Sequence, residues 1–384
     1  MDKIELIATA TFGLEAVVAR EVRELGYEDL TVENGKVTFG ADLAAVCRAN
    51  LWLRTADRVL VKMGGFQALT FDELFERTKA LPWDEWLPAD AEFPVQGKSV
   101  KSKLFSVPDC QAIVKKAVVE KLKARHRCAW FPETGPRYTI EVALLKDEAT
   151  LTIDTSGAGL HKRGYRKLGS PAPLKETLAA ALVQLSYWRP DRPLVDPLCG
   201  SGTIPIEAAF IGMNIAPGLG RKFAAEEWPL LPAALWKEAR VAARHLIAHG
   251  RWLNITGSDI DGEVLSVAGY HAREAGVDEQ IKFEKRTLSD LRSEDRYGCV
   301  ICNPPYGERL GAERDVERLY REMGAVFGRL DTWSFYVLTA HCGFERLFGR
   351  RADKKRKLYN GRIECHYHQF SGPRPPRVGG TPPR

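Results

Sequence analysis

Leu194-Val195-Asp196-Pro197-Leu198-Cys199-Gly200-Ser201-Gly202-Thr203-Ile204 is the stretch whose reading organises the rest of the chain. It sets a short apolar strand, a turn with two glycines and a helix bearing Ile204, Ile206, Ala208 and Ala209 in immediate succession. Glycines in such a turn let the main chain pass close to a ligand. The helix that follows offers unpaired N–H groups and a positive dipole end. A tight strand-to-helix turn without a ligand would look the same, so the surroundings have to decide. From Pro193 onward strands and helices alternate: Leu194–Asp196, a helix from Thr203, Ile255–Asp259, a helix from Gly262, Ile281–Glu284, Cys299–Asn303, a helix from about Arg314, and Ser334–Leu338. Alternation of this kind predicts an α/β fold built on a parallel, doubly wound sheet. Lys357–Tyr359 and Arg362–Glu364, joined by Asn360-Gly361, predict an antiparallel hairpin at its end.

The second strand of this series closes on Gly257-Ser258-Asp259-Ile260-Asp261, where an acid can accept hydrogen bonds from ribose hydroxyls. No basic residue replaces it, which disfavours a 2′-phosphate, and the glycine turn lacks the Lys-Ser/Thr that holds a triphosphate. Gly97-Lys98-Ser99 imitates the tail of a phosphate loop, but Glu92 stands where its first glycine belongs.

Asn303-Pro304-Pro305-Tyr306 follows the Cys299–Asn303 strand. Ligands of open α/β sheets bind beyond the carboxyl ends of the strands, so this tetrapeptide and the glycine turn should share one crevice. An exocyclic amine on a purine is a poor nucleophile because its lone pair is delocalised into the ring. The Asn303 side-chain carbonyl and the Pro304 main-chain carbonyl can each accept one of its N–H bonds, favouring a tetrahedral nitrogen with its lone pair aimed at an incoming methyl group. The prolines restrict the backbone around those acceptors, and Tyr306 offers a face on which a base can stack. Positioning of this kind lowers a barrier without a strong base.

The N-terminal half reads differently. Strand Ile4–Ala10, a helix from about Phe12 to Gly26, strands Leu30–Glu33 and Lys36–Phe39 about Asn34-Gly35, and a helix from Ala41 to about Asn50 form an α+β unit that resembles a ferredoxin-like module. From about Glu92, Lys98, Lys101 and Lys103 flank a strand, and a helix from Pro108 to about Arg127 carries Lys115, Lys116, Lys121, Lys123, Arg125 and Arg127. Asp109 and Glu120 are the acids of that span. A solvated helix face would carry such charges, and so would a phosphate-binding surface. Runs Tyr138–Leu145 and Thr150–Thr155 look like a closing hairpin.

The two motifs in this order, with Gly307-Glu308-Arg309-Leu310 after the second, resemble the bacterial RNA methyltransferases that join a THUMP domain to a Rossmann-like catalytic domain. Among these the chain is most similar to the 23S rRNA guanine-N2 methyltransferases and their shorter relatives, often called N6-adenine-specific DNA methylases. Lys98-Ser99-Val100-Lys101-Ser102-Lys103-Leu104, Arg163-Gly164-Tyr165-Arg166, Ala172-Pro173-Leu174-Lys175-Glu176-Thr177 and Lys357-Leu358-Tyr359-Asn360-Gly361 add to the likeness. It implies a Rossmann-like class I methyltransferase domain preceded by α+β ferredoxin-like and THUMP domains. The expected boundaries are 1–60, 61–156 and 157–370, with a disordered tail over 371–384. The cofactor implied is S-adenosylmethionine. Asp196, Pro197, Cys199, Gly200 and Gly202 would line its methionine end, Asp259 would hold the ribose, and Asp290 (with Asp295 as a competitor) would touch the adenine amine. Asn303, Pro304, Pro305 and Tyr306 would hold the target base, and Lys98, Lys101, Lys103, Lys115, Lys116 and Lys123 would meet RNA. The expected reaction is N2-methylation of a guanine in 23S rRNA. The alternatives are adenine-N6 methylation of RNA or DNA, and an RNA-binding assembly factor without activity. The second catalytic half of fused relatives is absent, so a single modification is expected.

The chain has 384 residues, long enough for two or three domains. A net charge of +6 permits an acidic partner. There is no apolar run of membrane-spanning length and no signal-peptide pattern at Met1-Asp2-Lys3-Ile4-Glu5, so a cytoplasmic location without membrane contact is expected. No obligate protein partner is implied. Cys47, Cys128 and Cys302 sit in apolar runs and read as reduced core thiols. Cys299 and Cys302, three apart on a strand, point to opposite faces and cannot share a metal. His366 and His368 share a face but find no further ligand, and are expected at a surface or sheet edge. No metal site is expected. Trp228, Trp236 and Trp252 lie in or beside the insertion between the first two catalytic strands, where they would either shape the base pocket or pack an extra helix.

Overall fold

The computed structural model describes residues 3–127, 130–169, 174–306 and 312–376. Cys128, the helix start at Pro173, the segment Gly307-Glu308-Arg309-Leu310 and tail residues 377–384 lie outside the described residues. The chain divides into two compact units. The first comprises residues 1–10, 18–160 and 221–245, the second residues 11–17, 161–220 and 246–384.

The first unit is built on strands β1 (Ile4–Ala10), β2 (Leu30–Glu33), β3 (Lys36–Ala41), β4 (Ala56–Gln67), β5 (Val95–Val100), β6 (Ile140–Leu145) and β7 (Glu148–Asp154). They form one seven-stranded sheet in the order β2-β3-β1-β4-β7-β6-β5, not two separate sheets. β4 joins the halves, pairing with β1 through Ala56–Val61 and with β7 through Leu60–Gln67. It escapes the sequence pattern because Val59, Leu60 and Val61 are all buried, so no alternation announces a strand. The register shifts between Lys62 and Gly64, where a Cβ would come within 2.6 Å of Leu81. The basic helix runs Val107–His126 and buries Cys110, Val114, Ala117, Val118 and Leu122, one face of a helical repeat.

Segment 221–245 interrupts the catalytic strands in sequence yet clusters with the first unit. Trp228 stacks on Tyr138 at 4.4 Å, meets Trp86 edge-on and donates its indole N–H to the Arg137 carbonyl at 3.0 Å. Trp236 stacks on Phe223 at 5.4 Å. Both rings are therefore packing groups of this insertion and its helix Ala233–His245. Trp252 belongs to the second unit and is 78% exposed.

The second unit holds β8 (Leu194–Asp196), β9 (Ile255–Asp259), β10 (Ile281–Lys285), β11 (Cys299–Cys302), β12 (Ser334–Thr339), β13 (Lys354–Asn360) and β14 (Ile363–Phe370). The order is β10-β9-β8-β11-β12-β14-β13. The first five strands are parallel, and β14 and β13 pair antiparallel. Each face carries its own core, and β11 shows the division: Cys299 and Ile301 enter one, Val300 and Cys302 the other. The two cysteines are buried, unbridged and on opposite faces. The histidine expectation needs correction, because β14 lies inside the sheet. His368 is 2% exposed, packs 4.8 Å from Phe344, and burial lowers its imidazole to about 4.

Candidate active site

The strand order sets β8 between β9 and β11, so the glycine turn, Asp259 and Asn303 follow the carboxyl ends of three neighbouring strands. Neighbouring strands lie about 4.8 Å apart. The turn is fixed to β9 by two hydrogen bonds. Cys199 N–H donates to the Ser258 carbonyl at 3.0 Å, and Gly200 N–H donates to Asp259 Oδ2 at 3.0 Å. Gly202, with φ +81°, caps helix Thr203–Gly212, and a Cβ there would meet Ala268 and Phe283 at 3.0–3.1 Å. Gly200, with φ +52°, has open space where its Cβ would be, so the turn offers room as well as donors.

The two acids of the β9 turn separate by role. Asp261 caps helix Gly262–Ala275, accepting from the N–H groups of Glu263 and Val264. Asp259 is half-buried, and its Oδ1 accepts the Asp261 N–H. Asp196 is 1% exposed, and burial raises its carboxyl well above the usual range, with Asp259 adding to the rise. Asp290 follows β10 at the carboxyl end and accepts the Thr287 hydroxyl at 2.6 Å. Its competitor Asp295 bonds Asn254, which precedes β9, and so lies at the amino ends of the strands.

At Asn303 the structure adds what the motif does not reveal. The Tyr306 hydroxyl donates to Asn303 Oδ1, taking one of the two lone pairs of an acceptor expected for an amine. Tyr306 packs against the core, and burial pushes its hydroxyl far up from the ordinary phenol value. The Pro304 carbonyl has no hydrogen bond among the described residues. Tyr320, fully buried on helix Ala312–Phe327, donates to the Pro305 carbonyl at 2.9 Å. Its oxygen also meets Thr339 Oγ1 at 2.8 Å, and Thr339 in turn accepts the His341 N–H at 3.1 Å. With one proton per hydroxyl, the chain runs His341 N–H to Thr339, Thr339 to Tyr320, Tyr320 to Pro305. Sequence reasoning missed Tyr320, since a tyrosine at a core position of an amphipathic helix looks like packing alone.

Beneath the turn lies a buried charged cluster. Arg163 grips Glu207 through two bonds of 3.3 Å, and Tyr165 adds a third at 3.4 Å. Arg166 donates to Thr203 Oγ1 at 2.7 Å and pairs with Glu176 at 3.4 Å, tying the start of helix Thr203–Gly212 to the preceding connector.

The expected RNA-binding lysines fall into two groups. Lys98 pairs with Glu141 at 2.8 Å, Lys115 with Glu133 at 2.6 Å and Lys123 with Glu120 at 2.9 Å. Lys115 also sits 3.6 Å over Phe93, so it is partly a packing group. Lys116 lies 5.6 Å over Phe75. Lys101 and Lys103 are exposed and make no ion pair among the described residues. Their loop is held by Asp147, which accepts the Lys103 N–H at 2.6 Å, and it presents Phe105 at 81% exposure. The exposed ring was not singled out from the sequence, where an apolar residue reads as core.

The profile of the RMKL-like methyltransferase domain matches residues 163–369. That of the RlmL ferredoxin-like domain matches 5–60, and that of the THUMP domain 68–154. The chain belongs to the RMKL-like methyltransferase family. It is 55% identical over 372 residues to the "Putative RNA methyltransferase YpsC" of Bacillus subtilis (strain 168), covering 96% of each chain. It is 35% identical over 381 residues to the "Ribosomal RNA large subunit methyltransferase K/L" of Syntrophotalea carbinolica (strain DSM 2380 / NBRC 103641 / GraBd1), covering 96% of this chain and 53% of that protein. Among solved structures, a "predicted N6-adenine-specific DNA methylase" from Listeria monocytogenes str. 4b F2365 superposes with TM-score 0.93 at 56% identity over 97% of both chains. "SMU.472, a putative methyltransferase complexed with SAH" gives TM-score 0.93 at 48% identity over 98% of this chain and 100% of that one. This family member is a class I methyltransferase that uses S-adenosylmethionine. The residues fit that donor: an open glycine turn, a half-buried acid at the next strand end and no triphosphate-holding lysine. Among the described residues there is no cluster of metal-ligating side chains and no helix long and apolar enough to cross a membrane.

Proposed function

We propose that this S-adenosylmethionine-dependent RNA methyltransferase places its methyl group on N2 of a guanine in 23S rRNA. The reading is supported by one observation, that the glycine turn, Asp259 and Asn303 follow three adjacent strand ends; a donor-holding loop and an amine-holding motif would there face one crevice. In this reading Asp196, Pro197, Cys199, Gly200 and Gly202 line the methionine end, Asp259 holds the ribose and Asp290 the adenine amine. When bound, S-adenosylmethionine supplies a methyl group on a positively charged sulfur. Asn303 Oδ1 and the Pro304 carbonyl accept the two N–H bonds of the base and turn its lone pair out of conjugation. Asn303 Oδ1 has a second lone pair for the base while the Tyr306 hydroxyl occupies the first. Tyr320 holds the Pro305 carbonyl meanwhile, so the prolines keep their place. The methylated nitrogen, positively charged after transfer, gives its extra proton to bulk water, so no strong base is needed.

RNA is favoured as acceptor by the THUMP match and by the loop of Lys101, Lys103 and Phe105, which combines phosphate-neutralising charge with a stacking face. The relative named for large-subunit ribosomal RNA favours that substrate. Adenine N6 offers the same two N–H groups, and the description of the Listeria protein favours it. Nucleoside mass spectrometry of 23S rRNA from a gene-deletion strain separates the two. N2-methylguanosine should disappear and return with the wild-type gene but not with Asn303→Ala. Loss of N6-methyladenosine instead would establish the second reading, and an unchanged nucleoside profile would defeat both.

A further inference from the structure

We propose that the β13–β14 hairpin is a second RNA-binding surface, guiding the phosphates of the strand that carries the target base toward Asn303. The proposal rests on the reading of the protein as an RNA methyltransferase and adds a site that the THUMP region does not supply. Arg350-Arg351-Ala352-Asp353-Lys354-Lys355-Arg356-Lys357 leads into the hairpin, and Arg362 stands in its turn. Asp353 is the lone acid of that run.

The register fixes where these cations lie. β12 runs parallel to β11, so Thr339, its last residue, marks the same carboxyl end as Asn303. Thr339 pairs with His366, and His366 pairs with Lys357. Beyond that level the hairpin continues through the pairs Leu358–Cys365, Tyr359–Glu364 and Asn360–Ile363 before turning at Gly361 and Arg362. Three more pairs rise about 10 Å above the rim of the sheet. The raised end lies next to the base-holding motif, because Tyr306 packs against the core cluster that contains Leu358 and Cys365 of the hairpin. Cations thus climb the hairpin from Lys354, level with the middle of the sheet, to Arg362 at its turn, alternating between the two faces along β13.

The charges are available. Arg351, Lys354 and Arg362 are exposed and make no ion pair among the described residues. Lys355 and Lys357 pair with Glu345 and Glu364 at 3.7 and 2.6 Å, with 43% and 45% of their side chains exposed. Exposed pairs of this kind are weak and can yield to phosphate. Lysines also protect open sheet edges against pairing, but part of this edge is already occupied. Arg356 donates to the Gly13 carbonyl at 3.2 Å, and a Cβ on Gly13 would fall 2.6 Å from the Lys357 carbonyl. None of the exposed large apolar side chains lies between residues 350 and 366, so the chemistry suits a polyanion, not an apolar partner.

The test uses the full-length protein with Arg351, Lys354 and Arg362 reversed to Glu, and 23S rRNA from a strain lacking the gene as probe. Calorimetry with S-adenosylhomocysteine confirms that the variant is folded at the site, and its affinity should match wild type. RNA affinity should fall at least about tenfold, and the slope of log affinity against log salt should shrink by about 2, three lost phosphate contacts at about 0.7 each. Lys282→Glu, at the opposite edge of the same sheet on β10, should leave that slope unchanged. Equal slopes for the triple variant and wild type would overturn the hairpin surface alone. A wild-type protein that neither binds nor methylates the rRNA would instead remove the RNA reading on which the surface depends.

Discussion

Tyr320→Phe removes a single oxygen and leaves the ring. Tyr320 is fully buried, edge-on to Phe344 at 5.0 Å and to His341 at 5.5 Å, and those contacts survive the change. Two hydrogen bonds are lost, to the Pro305 carbonyl and to Thr339. Pro305 is exposed, so its carbonyl can turn to water, whereas Thr339 is fully buried and its hydroxyl loses an acceptor. The stability cost should therefore be about 1–2 kcal/mol, within the range for one unsatisfied buried group. In a unit of this size that lowers the melting temperature by about 2–8 °C. The effect on turnover should be larger. The amine must be held to a fraction of an ångström, and a misplacement of about 1 Å costs about 100-fold. The expected result is kcat down by one to two orders of magnitude, about 10–100-fold, with S-adenosylhomocysteine affinity within about twofold of wild type. Stopped single-turnover methyl transfer and calorimetry on the same preparation read the two quantities. Unchanged kcat would refute the positioning role. A parallel loss of turnover and cofactor affinity would show general damage to the sheet end.

Asp259→Ala should weaken S-adenosylhomocysteine binding by about 10–100-fold, since a charged acceptor and the anchor of Gly200 are lost together. Asp261→Ala, two residues on, should cost about 1 kcal/mol of stability as a lost helix cap and leave that affinity intact; equal effects in calorimetry would contradict the division of roles. His368 gives a pH test. Its folded value of about 4 lies below the ordinary 6.5, so between those values the unfolded chain holds the extra proton and stability falls as pH drops. From pH 6.5 to 5 the wild type should lose about 2 kcal/mol more than His368→Gln in urea unfolding. Identical losses would mean that water reaches the ring.

The catalytic sheet was legible because its signals are local. Each of its parallel strands is short and alternates with a helix or turn signal, and the helices Thr203–Gly212 and Gly262–Ala275 begin at a positive-φ glycine and an aspartate cap. The first unit was less legible because its organisation is not local. β4 carries no alternation where it is buried on both sides, and only its partners β1 and β7 reveal that the two N-terminal modules share one sheet. The insertion with Trp228 and Trp236 interrupts the catalytic strands in sequence, but Trp228 packs on Tyr138 and Trp86 of the first unit. No periodicity within residues 221–245 says which unit an amphipathic helix will cover.

At the site, sequence marks the groups that act but not those that hold them. Asn303 and the glycine turn stand out because few residue types can do their work. Lys115 and Lys123 stood out for their charge, yet Glu133, outside the helix, and Glu120, within it, neutralise them. Lys101 and Lys103 make no ion pair among the described residues, and the nearby Asp147 accepts the Lys103 main-chain N–H. Tyr306 shows the same limit within the motif. Its ring reads as a stacking face in the sequence, while in the structure the residue packs against the core and its hydroxyl donates to Asn303 Oδ1. In the proposed reading the Tyr306 hydroxyl and the base share Asn303 Oδ1, one on each lone pair, so the hydroxyl fixes the direction in which the amide oxygen points.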